Sequence, residues 1–297
     1  MTSEQPHPRV ALDSGELSAE IDPQGAQLFT LRDRAARDLL WNGDAAVWSG
    51  RAPLLFPIVG TLAGGAYRLG SKTYRLPRHG FARNRTFTLE SSDSSTAVFS
   101  LRADEATLLV YPFRFELQIR FELHGPTLSL TACIRNHGEQ AMPASFGFHP
   151  ALRWPLPFGQ PRSAHFIQFE TDEPDPVRRI DSDGLLTPQL YPTPVTGRRL
   201  ALTDALFQDD VIIFDRLRSR SVIYGSSEGP RLQLNFADVP YFGLWSKPGA
   251  QFICIEPWHG ITDAEGFAGE LTDKAGVFVV AAGDSMSASM SITLLQG

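Results

Sequence analysis

Cysteine is scarce in this 297-residue chain: there are two, Cys133 and Cys254, each set among apolar neighbours and neither in a Cys-x-x-Cys pair. No disulfide framework is laid down. Long apolar runs are missing too. No window approaches the length of a membrane span, and the segment Met1 to Asp13 is polar and proline-containing, without the apolar centre of a signal peptide. A cytoplasmic, reducing location is the expectation, with residues 1–13 a flexible N-terminus. Positive charge is also short, 27 Lys and Arg against 33 Asp and Glu, a formal net charge of -6. That balance argues against nucleic acid or an anionic membrane as the main partner. A local arginine cluster could still hold an anionic ligand.

The common nucleotide and hydrolase signatures are lacking. Gly60-Thr61-Leu62-Ala63-Gly64-Gly65 is glycine-rich, but no Gly-Lys-Ser/Thr follows it, so it reads as a turn. No Gly-x-Ser-x-Gly elbow occurs. No stretch sustains a helical period either.

What is there is alternation. From Phe113 to Leu123 every odd position is apolar, while the even positions are Arg114, Glu116, Gln118, Arg120 and Glu122. Only a strand sorts two such sets onto opposite faces. After the turn His124-Gly125-Pro126-Thr127, alternation resumes through Leu128, Leu130, Ala132 and Ile134, which predicts a long antiparallel hairpin. The pattern returns at Leu232, Leu234 and Phe236, and from Met286 to Leu294. Between these runs lie clusters of Gly, Pro, Asn, Asp and Ser. The proline-rich stretch from Pro174 to Pro194 reads as an excursion from the sheet. With no repeat and no linker, the chain reads as one all-β domain over 1–297, a large antiparallel sandwich.

Four segments carry candidate chemistry. Phe252-Ile253-Cys254-Ile255-Glu256-Pro257-Trp258 runs a strand into a carboxylate, which is costly to bury unpaired; Pro257 helps to end the ladder. Arg78-His79-Gly80-Phe81-Ala82-Arg83 gathers two arginines, a histidine and an aromatic around one glycine. Phe146-Gly147-Phe148-His149-Pro150 frames a histidine with aromatics. Arg51 precedes Ala52-Pro53-Leu54-Leu55-Phe56-Pro57. Each has a plain alternative: a histidine beside apolar residues is more often a hydrogen-bonded core residue, Arg51 and Arg83 are as readily surface ion-pair partners, and Trp48, Trp154 and Trp258 are more often core than ligand platform.

Taken together, Arg51-x-Pro-x-Leu-Phe-Pro-x-x-Gly60, His79-Gly80-Phe81-Ala82-Arg83, Phe146-Gly147-x-His149-Pro150 and Cys254-x-Glu256-Pro257-Trp258-x-Gly260 occur in that order. The set resembles the aldose 1-epimerase (galactose mutarotase-like) family, in particular its LacX-like branch, from about Ala19 to Gln296. The resemblance implies a β-sandwich with a sugar cleft and no cofactor or metal. It implies Glu256 as the base that takes the anomeric hydroxyl proton and His149 as the acid that protonates the ring oxygen. His79, Arg83 and Arg51 would hold sugar oxygens, and an aspartate at Asp209 or Asp210, with Asp210 favoured, would bind substrate. Trp258 could stack on a pyranose face. The partner would be a small sugar or sugar phosphate: Lys72, Arg75, Arg78 and Arg83 crowd around His79, and Arg51 and Arg83 would lie nearest a phosphate. Two rivals remain: a carbohydrate-binding protein without turnover, and a metal enzyme built on His79, His149 and Glu256.

Overall fold

The computed structural model describes residues 8–237 and 239–297. Phe115–His124 and Thr127–Asn136 form the expected hairpin, paired from Thr127 with His124 to Asn136 with Phe115 around Gly125-Pro126. Phe115, Leu117, Ile119, Phe121 and Leu123 are buried, as their alternation requires. Glu116 is the exception on the other face. It is 4% exposed because Arg102, Arg135 and His137 close over its carboxylate at 2.6, 3.6 and 3.2 Å.

This hairpin lies within a nine-stranded antiparallel sheet. Its order is Arg199–Ala201, Phe166–Phe169, Ser221–Gly225, Arg231–Asn235, Ser285–Leu295, Thr127–Asn136, Phe115–His124, Thr96–Arg102 and Thr88–Ser92. A second antiparallel sheet has the order Ile212–Phe214, Tyr241–Trp245, Phe252–His259, Phe146–Phe148 and Leu54–Leu55, with Ala151–Arg153 also paired to Phe252–His259. Ile119, Phe121, Leu130 and Ile292 of the first sheet share one apolar core with Phe242, Leu244, Ile253 and Ile255 of the second. Burying that shared layer at about 25 cal/mol per Å² of apolar surface is what holds the sheets face to face. The α-helical content named among the described residues is Glu105–Val110, capped by the Asp104 side chain on the Thr107 amide.

The N-terminal expectation is corrected in part. Val10–Asp13 is not loose: it pairs with Leu17–Asp22, which pairs in turn with Gln27–Asp33, and Leu12 is buried. Residues 1–7 of that expected flexible segment lie outside the described residues. No helix among the described residues is long and apolar enough to cross a membrane.

Candidate active site

The strand Phe252–His259 divides its side chains by period two. Ile253 and Ile255 enter the main core. Phe252, Cys254, Glu256 and Trp258 take the opposite face, where Glu256 and Trp258 line a cavity of about 270 Å³. Two short strands pair with it in a common register: Phe146 with His259 and Gly147 with Trp258 on one side of a break, Ala151 with Cys254 on the other. Pro150, which has no N–H to give, occupies the break, and its carbonyl accepts the Ile255 amide instead. The same register carried through the break sets His149 opposite Glu256. Their side chains meet on the cavity face, His149 Nε2 and Glu256 Oε2 being 3.1 Å apart.

His79, Arg83, Asp210 and Trp258 line the same cavity as this pair. Gly60 N–H donates to His79 Nδ1 at 3.1 Å, while Arg78 Nε approaches Nε2 at 3.3 Å. Two fixed N–H donors thus converge on one ring, which holds His79 in place at the cavity edge. Both His79 and Asp210 hold left-handed backbones, φ 66° and 61°, a conformation that non-glycine residues keep mainly where surroundings impose it. Asp210 is the aspartate at the cavity, held by Arg179 Nη1 donating to its carbonyl at 2.9 Å.

Arg51 does not join them. Its Nη1 donates to the Phe29 carbonyl at 2.9 Å and its guanidinium lies 3.7 Å from the Phe29 ring centroid. Neighbouring backbone brings it near the site, since the Ala151 amide donates to its carbonyl, but the side chain is spent on Phe29. The three-ligand set His79, His149 and Glu256 does not form either. Among the described residues the grouping with metal-ligand spacing is His149, Cys254 and Glu256.

Burial sets the electrostatics. Glu256 is 1% exposed and His149 8%. Desolvation pushes the Glu256 carboxyl well up, against the Arg78 charge and the Trp258 indole, which pull it down. Desolvation, helped by Arg83 and Arg78, pushes His149 down to about 3. His79 is held well below its ordinary value, chiefly by burial and further by the neighbouring His149, Arg78 and Arg83. Burial thus favours the uncharged form of each partner in the Glu256 and His149 pair, carboxylic acid and neutral imidazole. Moving one proton across 3.1 Å converts it to carboxylate and imidazolium with no change in total charge.

An acid and a base side by side in a sugar-sized cleft of a β-sandwich suit chemistry at a single carbon bearing two oxygens. The aldose 1-epimerase family model matches residues 8–277. The chain belongs to the aldose 1-epimerase family. It is therefore an isomerase of the sugar-epimerase kind. The protein LacX of Lactococcus lactis subsp. lactis is 32% identical, over 96% of this chain and 99% of its own. A galactose mutarotase related enzyme of Lactobacillus acidophilus superposes with TM-score 0.89 at 28% identity, covering 97% of this chain and 98% of the other. An Escherichia coli K12 protein named "Putative glucose-6-phosphate 1-epimerase" is 25% identical over 83% of this chain and 81% of its own.

Several residues that line the cavity carried no signal in the sequence. Trp48 stacks on the His149 ring, centroids 5.4 Å apart at 29°, and Trp245 meets Trp48 edge-on at 5.2 Å. Lys247 lines the cavity and donates from Nζ to the Val47 carbonyl. Ile180 and Gly184 make a wall of it, so the excursion from Pro174 to Pro194 is part of the site. Trp154, by contrast, is core, at 1% exposure. Trp258 packs between two glycines on the flanking strands. A Cβ at Gly147 would stand 2.6 Å from its Cδ1, and one at Gly243 would stand 2.3 Å from its Cη2.

Below the cavity, Thr262 and Asp263 tie its wall together. The Thr61 amide donates to Thr262 Oγ1, Thr262 Oγ1 donates to the Gly184 carbonyl, and the Ala63 amide donates to Asp263 Oδ2. Asp263 Oδ1 meets Lys274 Nζ at 2.6 Å, with both side chains buried.

Proposed function

We propose that the protein interconverts the α and β anomers of an aldohexose or its phosphate ester by acid–base ring opening. Glu256, as carboxylate, takes the proton from the anomeric hydroxyl. His149, as imidazolium, gives one to the ring oxygen as the bond from that oxygen to C1 breaks. The open-chain aldehyde turns about C1–C2, and the reverse proton movements close the ring on the other face. Protons balance over the cycle, and no external acceptor is needed.

The observation that carries this reading is the 3.1 Å between His149 Nε2 and Glu256 Oε2. The anomeric oxygen and the ring oxygen are bonded to one carbon, so the base and the acid that serve them must be neighbours. A site working on a longer axis would hold its two groups apart, as inverting glycosidases do at roughly 6.5–9.5 Å. The Arg83 guanidinium, with the His79 ring beside it on the cavity, suits developing negative charge on the sugar oxygens. Trp48 and Trp258 offer apolar faces to the ring.

The cations on the cavity, Arg78, Arg83 and Lys247, favour a phosphate-bearing sugar over a neutral one. The name of the E. coli relative points the same way. In place of Arg51, whose side chain is occupied by Phe29, Lys247 serves with Arg83 as the phosphate-facing pair.

Anomer exchange followed by polarimetry and NMR on freshly dissolved glucose, galactose and glucose 6-phosphate tests the reading. Acceleration over the spontaneous rate that vanishes in Glu256→Gln supports it. Binding of the same sugars with no acceleration would replace it with a binding function.

A further inference from the structure

The Cys254 thiol lies next to the candidate active site without a place in the acid–base scheme. As an i, i+2 neighbour of Glu256 on one strand, it projects to the same face. Its Sγ, an imidazole nitrogen of His149 and a carboxylate oxygen of Glu256 all lie within 4.8 Å of one another. All three residues are buried, and Cys254 is a free thiol. One of the donor groups carries an unsatisfied atom: His149 Nδ1 is buried with no hydrogen-bond partner, while Glu256 Oε2 has the His149 imidazole beside it at 3.1 Å. Thiolate, imidazole and carboxylate are the donors that zinc takes in tetrahedral sites, at bonds of about 2.3, 2.0–2.1 and 2.0–2.2 Å. Ligand atoms around such an ion stand roughly 3.5 Å apart by those bond lengths, so side-chain adjustments of about an ångström complete the set.

We infer that His149, Cys254 and Glu256 form an inhibitory site for a thiophilic divalent cation such as Zn²⁺ or Cd²⁺. The route in is the cavity that His149 and Glu256 line. Binding displaces the thiol proton and the carboxyl proton, both of which leave to solvent, and uses the imidazole lone pair. The ion thereby occupies the base and the acid at once, so it competes with sugar. Hard cations such as Mg²⁺, which want octahedral oxygen ligands, do not fit this donor set. The inference rests on the proposed role of the pair only for the loss of activity; the binding itself does not.

The test uses the intact protein in a phosphate-free buffer. Zn²⁺ is titrated into the anomerisation assay with wild type, Cys254→Ala and the near-isosteric Cys254→Ser. Wild type is expected to lose turnover competitively with sugar and to regain it on addition of EDTA, with Mg²⁺ inert. Both variants should keep basal turnover and require at least about tenfold more Zn²⁺ for the same inhibition, the scale on which metal sites weaken when their shell is damaged. Independently of activity, Co²⁺ should give a thiolate-to-metal charge-transfer band in wild type that Cys254→Ala lacks. Equal Zn²⁺ sensitivity of wild type and both variants, or no thiolate band with Co²⁺, overturns the site. Sugar turnover absent from every form while the cobalt band persists would leave the metal site standing and remove the epimerase reading instead.

Discussion

His149 and Glu256 stand across a break in a β-ladder, with Nε2 and Oε2 3.1 Å apart, in a register that the strands on either side of Pro150 already fix. The contact is therefore built by backbone pairing and not by a flexible loop. Preorganised geometry of this kind is what lets a positioned acid or base act without reorganising.

Replacing either member should abolish most turnover while leaving the fold. Glu256→Gln keeps the shape and removes the base, and His149→Asn removes the acid. Each is expected to cut kcat by about a hundredfold or more, with the circular dichroism spectrum unchanged. Near-native turnover in either variant would show that proton transfer runs through other groups.

The pH profile should be broader than free side chains give. With ordinary values near 4.3 and 6.5, the state holding one shared proton would span only that interval. Here burial reverses the order. The pair takes up its second proton only as the pH falls towards about 3, where His149 titrates, and loses its last as the pH rises through the raised Glu256 value. Activity is thus retained across neutral pH and declines at both extremes, the two limbs belonging to the pair jointly. Initial rates from pH 3 to 10 check this; limbs near 4.3 and 6.5 would mean that the site does not desolvate the pair.

Substrate charge should be read by the cations that line the cavity and not by Arg51, which does not. Lys247→Ala should raise KM for glucose 6-phosphate by about tenfold or more, as lost charge-assisted hydrogen bonds do, with little change for glucose. Arg83 also faces the sugar oxygens, so Arg83→Ala should weaken binding of both substrates, and of the ester more. Arg51→Ala should leave both KM values alone. The phosphate advantage should also shrink as salt rises. Equal KM for ester and free hexose at low salt would remove the phosphate assignment and leave the acid–base pair untouched.

Lys274→Met should be costly because it strands a buried charge. Asp263 is left among buried neighbours with one of its two partners gone, and breaking such a pair typically costs about 3–5 kcal/mol. The double variant Lys274→Met with Asp263→Asn should recover part of that loss. Urea denaturation of the two variants against wild type measures both quantities.

The strand content was legible because alternation is local: Phe113 to Leu123 names its own faces. The catalytic candidates were legible as segments, each pairing a chemical residue with a glycine or proline that shapes the backbone. Their meeting was not, since the pairing of Gly147 with Trp258 joins residues far apart in sequence, and no spacing encodes it. Arg51 misled because its backbone runs beside the site while its side chain turns to Phe29. Trp48 was passed over since an isolated tryptophan reads the same whether it packs a core or, as here, stacks on His149. Arg78 was noted for its charge, but its closeness to His79 Nε2 depends on the left-handed turn at His79, which sequence does not announce. Glu116 kept its alternation yet became buried, because the arginines that cover it come from other strands.

The seat of Trp258 between Gly147 and Gly243 carries a consequence for how this cleft can diversify. A methyl at either glycine would meet the indole at 2.6 or 2.3 Å, and the rigid ring is held between the two strands that carry those glycines. The three positions are locked as a set. A homologue with alanine at either glycine position must carry a smaller side chain in place of the tryptophan, so substitutions there should be inherited together, and the shape of the cleft floor should change in steps and not gradually.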